Sequence, residues 1–112
     1  MIMNVKFTAR HFRAHPDIRE HAIECTRKLD RFYDGIVTAD VILSYERATK
    51  SVKTAEINLH VHGAVLSAKE RSDDFIKSLD ATAEKLAMQL AKYKTKLRAK
   101  DKEKVRVIRA KA

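Results

Sequence analysis

Glycine, proline and cysteine are scarce in this 112-residue chain, which has two, one and one of them. Isolated glycines cannot build a phosphate-cradling loop, whose close backbone approach needs several at fixed spacing. The lone Cys25 cannot close an internal disulfide. No basic stretch followed by an apolar one opens the chain, so the expected setting is a reducing cytoplasm and not the secretory route. No apolar run approaches the about 20 residues of a membrane span, and no membrane partner is expected. The scattered acids single out no Ser/His/Asp set and no carboxylate pair, so neither an enzyme nor a cofactor is expected.

Hydrophobic residues make up 45% of the chain and charged ones 35%, enough to bury the core of one compact domain. The formal charge is +9, and it is unevenly placed. Thirteen basic and thirteen acidic residues cancel from Met1 to Glu84, whereas eleven basic face two acidic ones from Lys85 to Ala112. A basic surface concentrated in one quarter of a chain favours a polyanion, nucleic acid first, with anionic lipid or an acidic protein behind it.

Alternation marks the first strand, with Met3, Val5, Phe7 and Ala9 on one side and Asn4, Lys6, Thr8 and Arg10 on the other. A helix then starts at Pro16, with Asp17 and Glu20 near its positive end. It carries Ile18, Ala22, Cys25, Leu29 and Phe32 on one face and stops at Asp34-Gly35. Three more strands read from Ala39, Val41, Leu43 and Tyr45, from Ala55, Ile57, Leu59 and Val61, and from Leu66 and Ala68. Arg47 to Lys50 is a hairpin loop, and His62-Gly63 a tighter one. A second helix is expected from an N-cap at Ser72, with Asp73 and Asp74 in its first turn. Ile76, Leu79, Ala83, Leu86, Leu90, Tyr93 and Leu97 form its seam.

The order is βαβββα, an α+β fold of two layers: a four-stranded mixed sheet with both helices on one face. Residues 1–100 form the domain, and 101–112 are a basic, flexible tail in which Val105, Val107 and Ile108 become extended only on contact. The other sheet face, with Lys6, Thr8, Arg10, Ser44, Glu46, Asn58, His60, His62, Ser67, Lys69 and Arg71, reads as solvated, Ile42 and Val65 excepted.

On the second helix Lys85, Gln89, Lys92 and Lys96 fall in one stripe, roughly 110° round from the apolar seam and roughly 16 Å long. Lys94 and Arg98 lie on the other flank. Lysines on a solvated face are ordinary, and near a helix end they complement the dipole. A group this one-sided repels itself, where a helix stabilised for its own sake would mix signs at i, i+4. The stripe therefore points to nucleic acid. RNA is favoured over DNA, because lysine is a point charge suited to backbone and shape more than to base edges. Cys25, on the seam of the first helix, reads as a small buried hydrophobe, and His60 and His62 share a strand face without a third ligand, so no metal is expected.

Four segments carry a family resemblance: Thr8-Ala9-Arg10-His11-Phe12, Lys28-Leu29-Asp30-Arg31-Phe32, Leu59-His60-Val61-His62-Gly63, and Glu84 to Lys96. Over about Met1 to Lys100 the chain resembles the ribosome hibernation promoting factors, including the ribosome-associated inhibitor A branch. Where that family commonly reads Lys-Leu-x-Arg-Gln-Leu, this chain has Lys85-Leu86-Ala87-Met88-Gln89-Leu90 and then Lys92, Lys94 and Lys96. Met88 removes one phosphate contact of the usual Arg, and Phe75-Ile76 replaces a common Met-Tyr.

The resemblance implies a fold akin to double-stranded RNA-binding domains, seated on the small ribosomal subunit in the messenger and transfer RNA channel. It implies silencing of translation in stationary phase or stress. It places Lys85, Gln89, Lys92, Lys94 and Lys96 against ribosomal RNA, assisted by Lys28 and Arg31, with Lys69, Arg71 and Arg10 as further contacts. It also implies a short form that either promotes paired hibernating ribosomes with a second small hibernation factor or opposes pairing through its tail; a monomer is expected off the ribosome. A general binder of structured RNA is the alternative reading.

Overall fold

The computed structural model describes residues 3–10, 12–33, 35–46 and 52–111, with side chains as far as residue 97. Strand β1 (Asn4–Arg10) is followed by helix α1 (Pro16–Lys28) and a single 3₁₀ turn, Leu29–Arg31. Strands β2 (Ile36–Glu46), β3 (Val52–Val61) and β4 (Ala64–Ser72) then lead into helix α2 (Phe75–Lys111). The sheet order is β1-β2-β3-β4, with β1 parallel to β2 and the other two pairings antiparallel. This is the expected α+β, two-layer βαβββα arrangement with its mixed sheet.

Alternation fixes the register, because a slip of one residue would turn every apolar side chain to the wrong face. Val5, Ala39, Leu59 and Leu66 lie along one transverse row of the sheet, and Phe7, Val41, Ile57 and Ala68 along the next. Both rows face the helices. Ala39, Val41, Leu43, Ala55, Ile57 and Leu59 have no exposure, and Leu79, Leu86 and Leu90 of α2 close over them. The β3–β4 turn is His62-Gly63, where Gly63 takes φ +88°, a region that costs a side-chain-bearing residue energy.

Helix α1 begins as expected at Pro16, with His15 as its N-cap: the ring Nδ1 accepts a hydrogen bond from the Asp17 amide at 3.1 Å. Its end differs. The α-helix stops at Lys28 and tightens into the 3₁₀ turn, where each residue advances about 120° and not 100°. Phe32, the residue that follows this turn, is 45% exposed and not part of the core. Buried Thr26, absent from the expected face, satisfies its hydroxyl within the helix by donating to the Ala22 carbonyl.

The start of α2 also differs. Ser72 belongs to β4, where it pairs with Lys53. Asp74 is the cap, its carboxylate accepting from the Ile76 amide at 3.2 Å. Ser72 supports that turn by accepting from the Asp74 amide. Three residues omitted from the expected seam are buried here: Phe75, Ser78 and Thr82. The Ser78 hydroxyl donates to the Lys53 carbonyl at 2.8 Å, and Thr82 Oγ1 lies 3.2 Å from the Ala55 carbonyl. These hydroxyls attach the first turns of α2 to β3.

At its far end α2 continues as helix to Lys111, beyond the seam's last expected residue, Leu97. The residues from Asp101 thus extend α2 where an aperiodic tail was expected. No glycine or proline follows Gly63 to stop it, and Ala, Lys, Arg and Glu dominate the last turns. The expected loop Arg47 to Lys50 lies outside the described residues.

Candidate nucleic-acid interface

Helix α2 runs antiparallel to β4 and is pinned along it. Lys85 Nζ forms an ion pair with Glu70 Oε1 of β4. One turn on, Gln89 Nε2 donates to the Ser67 carbonyl at 2.9 Å. The Tyr93 hydroxyl then reaches the His62 carbonyl at 2.9 Å, and its ring meets Tyr33 edge-on at 5.5 Å between centroids. These contacts fix the rotation of α2 about its axis, and with it the direction of its cationic flank.

The expected stripe accordingly divides into two parts. Lys85 and Gln89 hold the helix on the sheet: Glu70 is only 24% exposed, so the Lys85 ammonium neutralises a carboxylate that would otherwise sit half-buried without a countercharge. Lys92 and Lys96 are exposed, one turn apart, and flank a shallow depression with Ala91 and Thr95. Lys94 is exposed on the opposite flank. Among the described residues none of Lys92, Lys94 and Lys96 has a carboxylate partner. Arg98, expected beside Lys94, lies outside the described side chains.

The remaining expected residues fall on two other surfaces. Lys28 and Arg31 are exposed at the end of α1, where they line a shallow groove with Glu20, Ile23, Glu24 and Arg27. Lys28 is loosely paired with Glu24 at 4.0 Å. Arg27 was not among the expected residues, although it adjoins Lys28 in sequence and adds a third cation there. Arg10, Lys69 and Arg71 stand on the face of the sheet away from the helices. Arg10 and Arg71 share a transverse row through Ser44 and Thr54 but sit on opposite edge strands, roughly 14 Å apart at ordinary strand spacing. The structure thus gathers Lys92 and Lys96, gathers Lys28 with Arg31, and leaves Arg10 by itself.

Of the two histidines expected as exposed polar residues on the solvated strand face, His62 is exposed and His60 has a partner. His60 Nε2 lies 3.0 Å from Asp40 Oδ2, across the β2–β3 pair. His21 Nε2 lies 2.7 Å from Asp80 Oδ1, joining α1 to α2. Cys25 is buried, as expected, but its thiol also reaches Asp80 Oδ1 at 3.5 Å. Burial, reinforced by that carboxylate, pushes the Cys25 thiol up to about 11, so it stays protonated near neutrality.

A two-layer βαβββα sheet with a long helix that displays exposed lysines at and past its last contact with the sheet defines a class of small α+β protein built to present charge on a rigid rod. The chain belongs to the family described as "Sigma 54 modulation protein / S30EA ribosomal protein", whose profile matches residues 5–98. It is 31% identical over 96 residues to a ribosome hibernation promoting factor of Klebsiella oxytoca, covering 86% of this chain and 98% of that one. A protein of the same name from Azotobacter vinelandii is 30% identical over 94 residues, covering 84% of this chain and 85% of the relative. Two solved structures share the fold. The N-terminal domain of Thermus thermophilus Protein Y aligns with a TM-score of 0.72 at 26% identity, over 81% of this chain and 99% of that one. A ribosomal subunit interface protein of Coxiella burnetii aligns at 0.75 and 26%, over 83% and 99%.

Proposed function

We propose that this protein binds ribosomal RNA of the small ribosomal subunit, in the channel that holds messenger RNA and the transfer RNA anticodon ends, and keeps ribosomes in an inactive, hibernating state. The observation that carries the reading is the set of free ammonium groups on Lys92, Lys94 and Lys96, displayed by a helix whose rotation is locked by Gln89 and Tyr93. The names of the relatives, hibernation promoting factor and subunit interface protein, support the ribosome as the polyanion.

Silencing in this reading is occupancy, with no bond made or broken. Lys92, Lys94 and Lys96 take the phosphates of structured RNA, Lys28 and Arg31 contact a second strand, and Lys69, Arg71 and Arg10 add contacts from the far sheet face. Lys85 and Gln89 reach RNA only as part of the pinned flank. Residues 1–100 are the binding domain, and the basic residues from 101 add charge to it. The protein acts in the cytoplasm, is monomeric off the ribosome, and shares ribosomes with a second small hibernation factor.

Sedimentation of a stationary-phase lysate through a sucrose gradient tests this. The protein is expected with the small subunit and whole ribosomes at low salt; its recovery at the top of the gradient refutes the reading. Free duplex RNA added in excess separates a ribosome-directed factor from a general binder of structured RNA. Only the general binder is stripped from ribosomes by the duplex.

A further inference from the structure

Away from the lysines, three side chains with metal-ligating atoms meet where α1 packs on α2. His21 and Cys25 are four residues apart on α1, so they share one face a single turn apart, and Asp80 of α2 faces them. His21 Nε2, Cys25 Sγ and a carboxylate oxygen of Asp80 all lie within 4.8 Å of one another. We infer that His21, Cys25 and Asp80 form a binding site for a divalent transition-metal ion of the zinc type.

The donor chemistry selects the ion. One imidazole nitrogen, one sulfur and one carboxylate oxygen suit zinc or cobalt, whereas magnesium and calcium take oxygen ligands. The geometry is close to what such an ion needs. Tetrahedral coordination with bonds of about 2.0–2.3 Å places ligand atoms about 3.3–3.7 Å apart. Cys25 Sγ and Asp80 Oδ1 are already 3.5 Å apart, while the 2.7 Å contact of His21 with Asp80 must open by under about 1 Å. Asp80 is 59% exposed and His21 31%, so both can make that adjustment, and the fourth position is left to water. Buried Cys25 is the fixed member, set on the helix interface by its neighbours Ala22, Thr26 and Leu29.

Coordination replaces the thiol proton, which leaves to solvent past Asp80, and no electron is transferred. The bound ion joins α1 to α2 by three bonds where the apoprotein has two hydrogen bonds, and it stabilises the folded chain by mass action.

Cobalt(II) tests the site with a signal that reports one residue, because Cys25 is the only thiol in the chain. Titration of the purified protein, free of any polyhistidine tag, is expected to give a thiolate-to-cobalt charge-transfer band that saturates at one equivalent. Zinc(II) should bleach the band and magnesium(II) should not. His21→Ala and Asp80→Asn, checked for folding by circular dichroism, should each weaken the cobalt affinity by about tenfold or more. Zinc(II) should raise the melting temperature of the unsubstituted protein and leave that of Cys25→Ala unmoved. Absence of the band in the unsubstituted protein at millimolar cobalt overturns the inference. A band whose affinity is unchanged in both His21→Ala and Asp80→Asn overturns it equally.

Discussion

Lys85 and the pair Lys92 and Lys96 lie on one flank of α2, yet the structure gives them opposite roles, and charge removal should separate them. Of the cations proposed to contact RNA, the five principal ones, Lys28, Arg31, Lys92, Lys94 and Lys96, are free of a carboxylate or only loosely held among the described residues. If each neutralises one phosphate, the log-log dependence of affinity on salt has a slope of about −4, a roughly 250-fold loss between about 50 and 200 mM. Replacing Lys92 and Lys96 together by glutamine removes two counterion releases, so the slope should fall to about −2.5 and the loss to roughly 30-fold. Folding stability should stay within about 0.5 kcal/mol, since both side chains are exposed.

Lys85→Gln should behave in the reverse way. It leaves Glu70 half-buried beside a neutral amide, which costs about 1 kcal/mol in a urea melt, while the salt slope barely moves. Filter binding or fluorescence anisotropy with small-subunit particles, at four salt concentrations, reads the slopes. Equal slope changes for Lys85→Gln and for the double variant would refute the division of the flank. A salt-insensitive affinity in the unsubstituted protein would refute the electrostatic account altogether.

Three further outcomes follow from the fold. Gly63→Ala meets no atom within 4 Å, so its cost is the positive φ alone, about 1 kcal/mol in a denaturant melt; Gly63→Asn should cost less. Leu86→Ala, at a position with no exposure between α2 and the sheet, should cost about 2–5 kcal/mol and lower the thermal midpoint accordingly. The Cys25 thiol, raised to about 11, holds its proton in the folded state where the unfolded chain releases it near about 8.5. Its contribution is therefore full below the lower value and is lost as pH rises towards the upper one. Stability above pH 8.5 should fall more steeply than in Cys25→Ala, and alkylation of the native thiol should be slow at pH 8.

The strands were legible because each has one buried face, so that period-2 alternation in residues such as Val41, Leu43, Ile57 and Leu59 maps directly onto burial. The tight hairpin was legible because Gly63 is one of only two glycines. What escaped depends on partners distant in sequence. Ser78 and Thr82 read as polar, and only the β3 carbonyls explain their burial. The α2 cap shifted because Ser72 and Asp74 are both good capping residues, and β4 claimed Ser72 for its pairing with Lys53. The stripe on α2 was visible by angle alone, but that Lys85 answers Glu70 and Gln89 answers Ser67 needed the register of β4 against the helix. The His21–Cys25 spacing was in plain view, while Asp80, which completes the cluster, lies 55 residues beyond Cys25.

The arrangement of charge along α2 also bears on whether the lysines serve only their own helix. Cations stabilise a helix C-terminus through the dipole, but that effect fades beyond the last turn, and Lys92 stands about five turns before Lys111. Nor, among the described residues, do carboxylates answer them: Glu70 is engaged with Lys85, and past Tyr93 the helix has passed the β3–β4 turn, with no described strand beneath it. The segment from Lys92 onward therefore accumulates repulsion that nothing within the described residues relieves. A helix rich in good helix formers tolerates this, and the seam holding α2 to the sheet sets its direction before the charge begins. A bound polyanion would supply that relief, so it should stabilise α2 from Lys92 onward. Amide hydrogen exchange of α2 with and without small-subunit particles would register that protection from Lys92 onward, whereas protection confined to the sheet would mean that the cations are not the surface that binds.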